Sequence, residues 1–262
     1  SNIGSDCDNE LATDNDEDSD VKILKFFTDL HNQAQKQGGA VYSLIGNHEI
    51  MNVQGDMRYV SYLGIKGYDN YKNENGKIIR DGMKARKWLF KPGNPLANFL
   101  ACTRKMILVI GSLLFVHAGI LPQIVDRYGV KDLNHILALY LWDELKNDHI
   151  TDEIINSPNY SPLWNRVIGM MDKKDNDKMC NNLMNPLKQI YKINNMFVGH
   201  TPQMNEGINS NCNNKIWYVD YGASKAFDKF DPILQMSGKR AEVRKVQVLE
   251  ILNDGDIIRV LK

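Results

Sequence analysis

Residues 40–49 read AVYSLIGNHE, a short apolar run that leads directly into a polar cluster. The run from Ala40 to Ile45 predicts a buried β-strand. Upstream of it, apolar side chains recur at three- and four-residue steps from Val21 to Gln37, which predicts an amphipathic helix that ends at Gly38-Gly39. A helix followed by a buried strand is typical of an α/β fold, in which polar clusters at the ends of strands bind ligands.

Later apolar runs repeat this arrangement of a strand and a polar end. Leu113–His117 follows Met106–Ile110 across a Gly-Ser pair, so the two runs predict a β-hairpin. Asn195–Val198 predicts another short strand, and it leads into Gly199-His200. A second hairpin is predicted over residues 246–261. The early helix and strand followed by mostly β structure predict two packed sheets with helices outside.

The polar ends of three of these strands each contain a histidine, namely His48, His117 and His200. A single histidine after a strand usually has a structural role, and that alternative applies to each of them alone. Three of the six histidines in the same setting indicate a shared site instead. Imidazole nitrogens and the Asn47 carbonyl oxygen are suitable metal donors, so the sequence predicts a metal site at these strand ends.

The composition limits the classes of function. The chain has 262 residues, of which 43% are apolar, enough for a sizeable core. Lys and Arg total 32, as do Asp and Glu, so the balanced chain has no overall field to hold nucleic acid. Because no apolar run reaches the roughly 18 residues of a membrane span, we expect no membrane partner either. The length predicts one domain over residues 1–262, with insertions at about 64–104 and 148–186.

The spacing of the cysteines indicates neither a metal site nor a disulfide pattern. The chain has four of them (Cys7, Cys102, Cys180 and Cys212), and none lies in a CxxC pair. Their spacing fits neither a zinc knuckle nor a disulfide framework. We therefore expect reduced, structural or surface thiols.

Several sequence words together carry a family resemblance. Three of them occur in the order Gly46-Asn47-His48-Glu49, Phe115-Val116-His117-Ala118-Gly119 and Val198-Gly199-His200-Thr201-Pro202. In this order they resemble the calcineurin-like metallophosphoesterases. Two longer stretches, residues 46–60 (GNHEIMNVQGDMRYV) and 161–166 (SPLWNR), look like the bacterial-type, Shewanella-like branch of the phosphoprotein phosphatases. The resemblance spans roughly residues 21–225.

The resemblance implies a fold and an activity. The implied fold is of the α/β (α+β) class, a metallophosphoesterase β-sandwich flanked by helices. The implied activity is metal-dependent hydrolysis of phosphomonoesters, with a phosphorylated protein or a small phosphoester as substrate. Members of the family use a dinuclear metal centre whose bridging hydroxide attacks phosphorus, and a histidine protonates the leaving oxygen.

The resemblance also implies roles for individual residues. Asn47, His117 and His200 match the ligands of the second metal, and His48 matches the histidine general acid. Arg166 matches a phosphate-binding arginine, whose planar fork suits two oxygens.

Two further assignments leave alternatives open. Arg58 is a weaker candidate for phosphate binding, and a salt bridge to Asp56 or another carboxylate is an equal alternative. Asp220 lies in a word that resembles the last active-site loop of the family. It either supports a residue that binds the metal or the phosphate, or simply forms a turn.

Two words that the family needs for its first metal, GDxH and GDxxD, do not occur in this chain. We therefore expect the chain to begin just past them within a longer native protein, so that the first βαβ portion is missing. The alternative is a non-catalytic binding or structural relative that lost the first-metal site. For the complete protein the resemblance implies two divalent metal ions, manganese or iron with zinc, and for this chain at most one.

Overall fold

The computed structural model describes residues 18–173, 177–224, 227, 236 and 246–262. The chain divides into two compact units. The first unit holds the described residues up to Lys105 together with Leu137–Lys146, and the second holds Met106–Ile136 together with the described residues from Asn147 onward. The division falls inside one helix, and the prediction of a single domain stays a prediction.

The first unit is mainly helical. The predicted amphipathic helix is confirmed as α1 (Asp20–Gln35), and the chain leaves it through Gly38, whose φ of +75° suits a residue without a side chain. The remaining helices and one short hairpin follow in chain order: α2 (Asn47–Val53), α3 (Tyr62–Lys66), β1 (Tyr71–Lys72), β2 (Ile78–Ile79), α4 (Gly82–Phe90) and α5 (Pro95–Thr103).

The prediction of a continuous strand from Ala40 to Ile45 is wrong. The segment makes one parallel bridge, between Leu44 and Lys105. In it Ile45 N–H donates to the Lys105 carbonyl at 2.9 Å, and Lys105 N–H donates to the Ser43 carbonyl at 3.3 Å. The predicted burial holds for Ile45, which is fully buried, but not for Ala40 and Tyr42, which are exposed. A strand also needs a partner along its length, and an apolar run does not show which segment provides one.

Local sequence signals explain where the other helices of the first unit begin. The Asp81 carboxylate accepts a hydrogen bond from Lys84 N–H at 2.9 Å and so caps the first turn of α4. Helix α5 begins at Pro95, a residue that suits the first helical position because its missing N–H needs no partner there. Both helices turn apolar residues into the core, among them Leu89, Phe90 and Leu100.

A five-stranded mixed sheet forms the centre of the second unit. Its strands are β3 (Ile107–Ile110), β4 (Leu113–Val116), β5 (Asn195–Val198), β6 (Asn209–Asn211) and β7 (Ile216–Tyr218), in the spatial order β3-β4-β5-β7-β6. Strands β3 and β4 pair antiparallel across Gly111, which confirms the first predicted hairpin. Strands β4, β5 and β7 run parallel to one another, so their C-terminal ends lie at the same edge of the sheet.

The C-terminal hairpin covers one face of this sheet. Strands β8 (Val248–Leu252) and β9 (Ile257–Leu261) pair antiparallel around a 3₁₀ turn at Asn253–Gly255, as predicted. Apolar side chains of the hairpin pack against a cluster on the sheet that includes Phe197 and Trp217. The strands of the hairpin therefore bury this side of the sheet.

Helical segments make up much of the chain between β4 and β5, and all but the last part of α7 belong to the second unit. They are α6 (Pro122–Val125), α7 (Val130–Leu141), α8 (Asp148–Ile150), a π-helical turn (Thr151–Asn156), α9 (Asp177–Pro186) and a second π-helical turn (Leu187–Tyr191). Helix α7 is the element in which the two units divide. Helices thus lie between the strands along the chain, and the strands form a mixed sheet. The chain is a mixed α/β protein, as predicted. Over the residues that the structure describes, no helix is both long and apolar enough to span a membrane.

The expectation that the cysteines are reduced is wrong for two of them. Cys180, on α9, and Cys212, just after β6, form a disulfide with a Cα–Cα separation of 5.3 Å. Cys102 is a free, exposed thiol, and Cys7 lies outside the described residues. The paired residues are 32 positions apart, so a search for short cysteine spacings does not find them.

Candidate active site

The parallel strands of the second unit bring two of the predicted histidines together. His117 directly follows β4 and His200 follows β5 by two residues, and Val116 and Val198 are partners in the ladder. Beyond the strand ends, Gly199 N–H donates to the His117 carbonyl at 2.8 Å, which continues the pairing into the loops. Both imidazoles therefore lie at the C-terminal edge of the sheet, where α/β folds bind ligands.

The two imidazole rings meet through defined nitrogens. His117 Nε2 lies 3.1 Å from His200 Nδ1, and the ring centroids are 4.9 Å apart. His200 Nε2 lies 3.0 Å from the Trp164 carbonyl oxygen. Because a carbonyl only accepts, this Nε2 carries the hydrogen, and Nδ1 of the neutral ring is left with its lone pair directed at His117. Such a fixed tautomer is the usual arrangement for a metal-binding histidine.

The backbone of His200 adopts a conformation that is uncommon for a histidine. Its φ is +63°, and Thr201 N–H donates to the Gly199 carbonyl at 2.6 Å, so His200 is the central residue of a tight three-residue turn. A left-handed residue other than glycine costs about 1–3 kcal/mol and persists where its surroundings hold it. The turn directs the imidazole back towards His117.

Residues 161–166 (SPLWNR) are hydrogen-bonded to the loop after β4, and we call this segment the brace. The Pro162 carbonyl accepts a hydrogen bond from Ala118 N–H at 2.8 Å. The buried Asn165 side chain donates to the Gly119 carbonyl at 2.9 Å. These contacts hold the brace beside the strand ends, and the Trp164 carbonyl that orients His200 belongs to it.

Arg166, the last residue of this brace, lies beside His200. Its guanidinium Nη1 donates to the His200 carbonyl at 3.1 Å, and the side chain is exposed. A cationic fork beside an imidazole pair suits the oxygens of a phosphate.

Asp220 lies near the same edge, two residues after β7. Its carboxylate accepts a hydrogen bond from Gly222 N–H at 3.0 Å, the contact expected of a residue that forms a turn. A methyl group added at Gly199 would lie 3.8 Å from the Asp220 Cβ atom, so Asp220 adjoins the turn that carries His200.

The imidazole pair fits a divalent cation. With metal–nitrogen bonds of about 2.1 Å, nitrogens 3.1 Å apart subtend an angle of about 95° at a shared metal, between octahedral and tetrahedral values. Among the described residues, no group of three or more His, Cys, Asp or Glu side chains is arranged to hold a metal. A further donor from that part of the protein would therefore be a group of another type, such as an amide, hydroxyl or backbone oxygen.

The GNHE word of the first unit begins helix α2. Asn47 is its first residue and is buried, whereas His48 is exposed. The Glu49 carboxylate accepts a hydrogen bond from Gly46 N–H at 2.8 Å and thereby caps the N-terminus of α2. Burial raises the pKa of the Glu49 carboxyl above its ordinary value, against the opposing effect of this hydrogen bond. The glutamate of the word, to which sequence analysis gave no role, thus fixes the turn that presents Asn47 and His48.

The turn after α2 carries two more candidate residues. The Arg58 guanidinium is paired with the Asp56 carboxylate at 2.6 Å, the alternative that the sequence left open, and this contact lowers the pKa of Asp56. Tyr59 stacks on His48, with ring centroids 4.9 Å apart and planes only 7° from parallel. The sequence gave no signal for this stacking.

The predicted site residues therefore fall into two groups. His117, His200, Arg166 and Asp220 share one sheet edge of the second unit, and Asn47, His48 and Arg58 surround the start of α2 in the first.

The sequence of the chain is similar to those of several known proteins. No family model matches it. The protein R398 of Acanthamoeba polyphaga mimivirus is 37% identical over 252 residues, which cover 87% of the chain and 95% of R398. The protein C1840.07c of Schizosaccharomyces pombe is 30% identical, over 91% of the chain and 67% of that protein. The chain belongs to the family of R398.

More distant relatives of the R398 family carry functional names. Shewanella-like protein phosphatase 2 of Arabidopsis thaliana is 28% identical to the chain, over 79% of the chain and 59% of that protein. A cold-active protein tyrosine phosphatase solved at 1.1 Å superposes with a TM-score of 0.59 at 21% identity, over 92% of the chain and 63% of the phosphatase. The same kind of enzyme from a psychrophilic Shewanella species gives a TM-score of 0.53 at 20% identity. The chain thus has the fold of these structures and spans about three-fifths of their length.

Proposed function

We propose that the chain forms the catalytic part of a metal-dependent phosphomonoester hydrolase, a protein phosphatase. The observation that carries the proposal is the 3.1 Å approach of His117 Nε2 to His200 Nδ1, with the His200 tautomer set by the Trp164 carbonyl. Homologues named as protein phosphatases support the same activity. We also propose that the five-stranded sheet and the terminal hairpin belong to the β-sandwich that the sequence resemblance implies.

In this proposal His117 and His200 hold one divalent cation, and Asn47 supplies an amide oxygen as a further ligand. Two such ions, manganese or iron with zinc, are proposed for the complete protein, and at most one for the residues present here. When bound, these ions neutralise phosphoryl oxygens and lower the pKa of water. The protein's own contribution is to orient the nitrogens through the left-handed His200 turn and its carbonyl partner.

His48 is the proposed general acid, which donates a proton to the leaving oxygen. Imidazole suits this task because its ordinary pKa lies near neutral pH. Arg166 is the proposed phosphate clamp, since its guanidinium is exposed and held beside His200. Arg58 is a weaker candidate, because its donors are already engaged by Asp56. Asp220 keeps a proposed supporting role next to the His200 turn.

Phosphorylated proteins are the proposed substrates, and small phosphoesters the alternatives. Two of the structures that share the fold are named tyrosine phosphatases, so a phosphotyrosine peptide is the first substrate to test. Phosphoserine and phosphothreonine peptides are the matched comparisons.

A second function is phosphate binding without turnover. The observation that favours it is the small donor set, because no group of three or more His, Cys, Asp or Glu donors occurs among the residues that the structure describes.

Activity of the full-length natural protein decides between the two functions. Phosphate release from p-nitrophenyl phosphate with manganese is measured for the wild type, His48→Ala and His117→Ala. His149→Ala is the matched control, because His149 is exposed on α8 outside the proposed site. We expect turnover in the wild type and the control, and a loss of at least a hundredfold in kcat for His48→Ala. Turnover in His48→Ala equal to that of the wild type would show that the acid is assigned wrongly.

A further inference from the structure

The backbone of His48 is held by a chain of hydrogen bonds within the first unit. The Asn52 side-chain amide donates to the His48 carbonyl at 2.9 Å, and the Asn52 Oδ1 atom accepts from Arg86 Nε at 2.9 Å. Arg86 is itself fully buried and also donates to the Gly64 carbonyl at 2.8 Å and to Asp20. These contacts fix the main chain and leave the imidazole free to turn about its two side-chain torsions.

Tyr59 supplies the contact that sets the plane of the imidazole. The two rings are parallel within 7°, with centroids 4.9 Å apart, which lies in the range preferred by stacked aromatic pairs. Within the described residues of the first unit, neither ring nitrogen of His48 has a hydrogen-bond partner. Among these residues, the stacking is therefore the directional contact that orients the exposed ring.

The turn that carries Tyr59 is anchored on both sides. Val60 N–H donates to the Met57 carbonyl at 3.0 Å, so Arg58 and Tyr59 are the two central residues of a β-turn. Met57 and Val60 are both buried, in a cluster with Ile65. The Arg58 guanidinium donates to both Asp56 oxygens and ties the first half of the turn to the segment that follows α2.

This anchoring contrasts with the exposure of the tyrosine itself. Tyr59 is 60% exposed, so its ring contributes little to the core although the turn beneath it is firmly packed. A rigid turn that holds an exposed aromatic ring against an exposed imidazole can fix the orientation of that imidazole.

We propose that Tyr59 is the positioning residue of His48, holding the imidazole plane so that a ring nitrogen stays directed at the leaving oxygen. This inference rests on the proposed role of His48 as the general acid. Because the face of the ring makes the contact, Phe replaces Tyr59 without loss, whereas Leu leaves the imidazole free to rotate. Stacking of such a pair changes the population of correctly oriented rings by about two- to tenfold.

Nuclear magnetic resonance of the histidine rings tests the contact without any need for activity. In labelled protein, the ring protons of His48 are identified by their loss in His48→Ala. We expect their resonances to be shielded by the tyrosine ring in the wild type and in Tyr59→Phe, and to shift downfield in Tyr59→Leu. Identical His48 shifts in the wild type and Tyr59→Leu would overturn the proposal.

Kinetics of the full-length protein with an aryl phosphate and manganese test the consequence. In Tyr59→Leu we expect kcat to fall two- to tenfold with KM unchanged, while Tyr59→Phe retains the wild-type kcat. Tyr42→Leu is the matched control, since Tyr42 is a 53% exposed tyrosine of the same unit that contacts His31. A raised KM with unchanged kcat in Tyr59→Leu would make Tyr59 a substrate contact and refute the positioning role.

The two proposals fail in different ways. Wild-type turnover in His48→Ala refutes the proposed acid, whatever Tyr59 does. Loss of turnover in His48→Ala combined with wild-type kcat in Tyr59→Leu refutes only the positioning role.

Discussion

Reduction of the disulfide between Cys180 and Cys212 should destabilise the protein by several kcal/mol. The bond joins helix α9 to the turn after β6 and links residues 32 positions apart. Both cysteines are buried, so reduction leaves their packing largely in place. The expected effect therefore comes mainly from the unfolded chain, which gains the freedom that the cross-link removes.

The magnitude follows from the length of the closed loop. For a loop of about 33 residues the chain-entropy relation gives an entropy change of about 12.5 cal/mol/K, or about 3.7 kcal/mol at 25 °C. With a urea dependence of about 2–3 kcal/mol/M, this corresponds to a midpoint shift of about 1–2 M.

Urea unfolding of oxidised and reduced protein, followed by tryptophan fluorescence, measures this shift. A Cys102→Ser background removes the exposed free thiol, so that reductant acts on the disulfide alone among the described cysteines. Cys180→Ser/Cys212→Ser is expected to unfold at the midpoint of the reduced protein. An unchanged midpoint on reduction, or non-reducing peptide mapping that finds Cys180 and Cys212 unlinked, would refute the reasoning.

Two further substitutions probe the first unit. Arg86→Met removes a fully buried guanidinium and leaves the Asn52 and Gly64 oxygens without their donor, whereas the third partner, Asp20, is half exposed. The free energy of unfolding should therefore fall by about 2–4 kcal/mol, against about 0.5 kcal/mol or less for the exposed Arg80→Met. Urea titration measures both, and equal losses would contradict the buried network. Asp56→Asn should cost only about 0.5 kcal/mol at pH 7, because its partner Arg58 is largely exposed. The pKa of Asp56 is lowered in the folded state, so its contribution is present above the unfolded pKa and disappears as the pH falls through the folded value. Wild type and Asp56→Asn should therefore converge in stability in acid, and a difference that grows on acidification would contradict the pairing.

The sequence predicted the elements whose signals are local. The α1 periodicity, the two hairpins and the strands that lead into His117 and His200 each follow from a pattern of neighbouring residues. The parallel pairing that brings these two histidines to one edge joins distant segments, and no local pattern predicted it.

The features that the sequence did not predict depend on partners far apart in the chain. The Trp164 carbonyl that orients His200 is a backbone group, and every residue has one, so no side-chain pattern marks it. The segment from Ala40 to Ile45 makes one bridge and no longer ladder with the described part of the chain, which its own composition cannot reveal. Stacking of Tyr59 on His48 depends on how tightly the turn after α2 closes.

Binding of a divalent cation by His117 and His200 is the most direct test of the account. Cobalt absorption and isothermal titration with manganese and zinc are measured on the wild type, His117→Ala, His200→Ala and the control His149→Ala. We expect the wild type and the control to bind a cation through imidazole nitrogens, with ligand-field bands that are lost in both site variants. Equal binding and unchanged bands in His117→Ala and His200→Ala would contradict it.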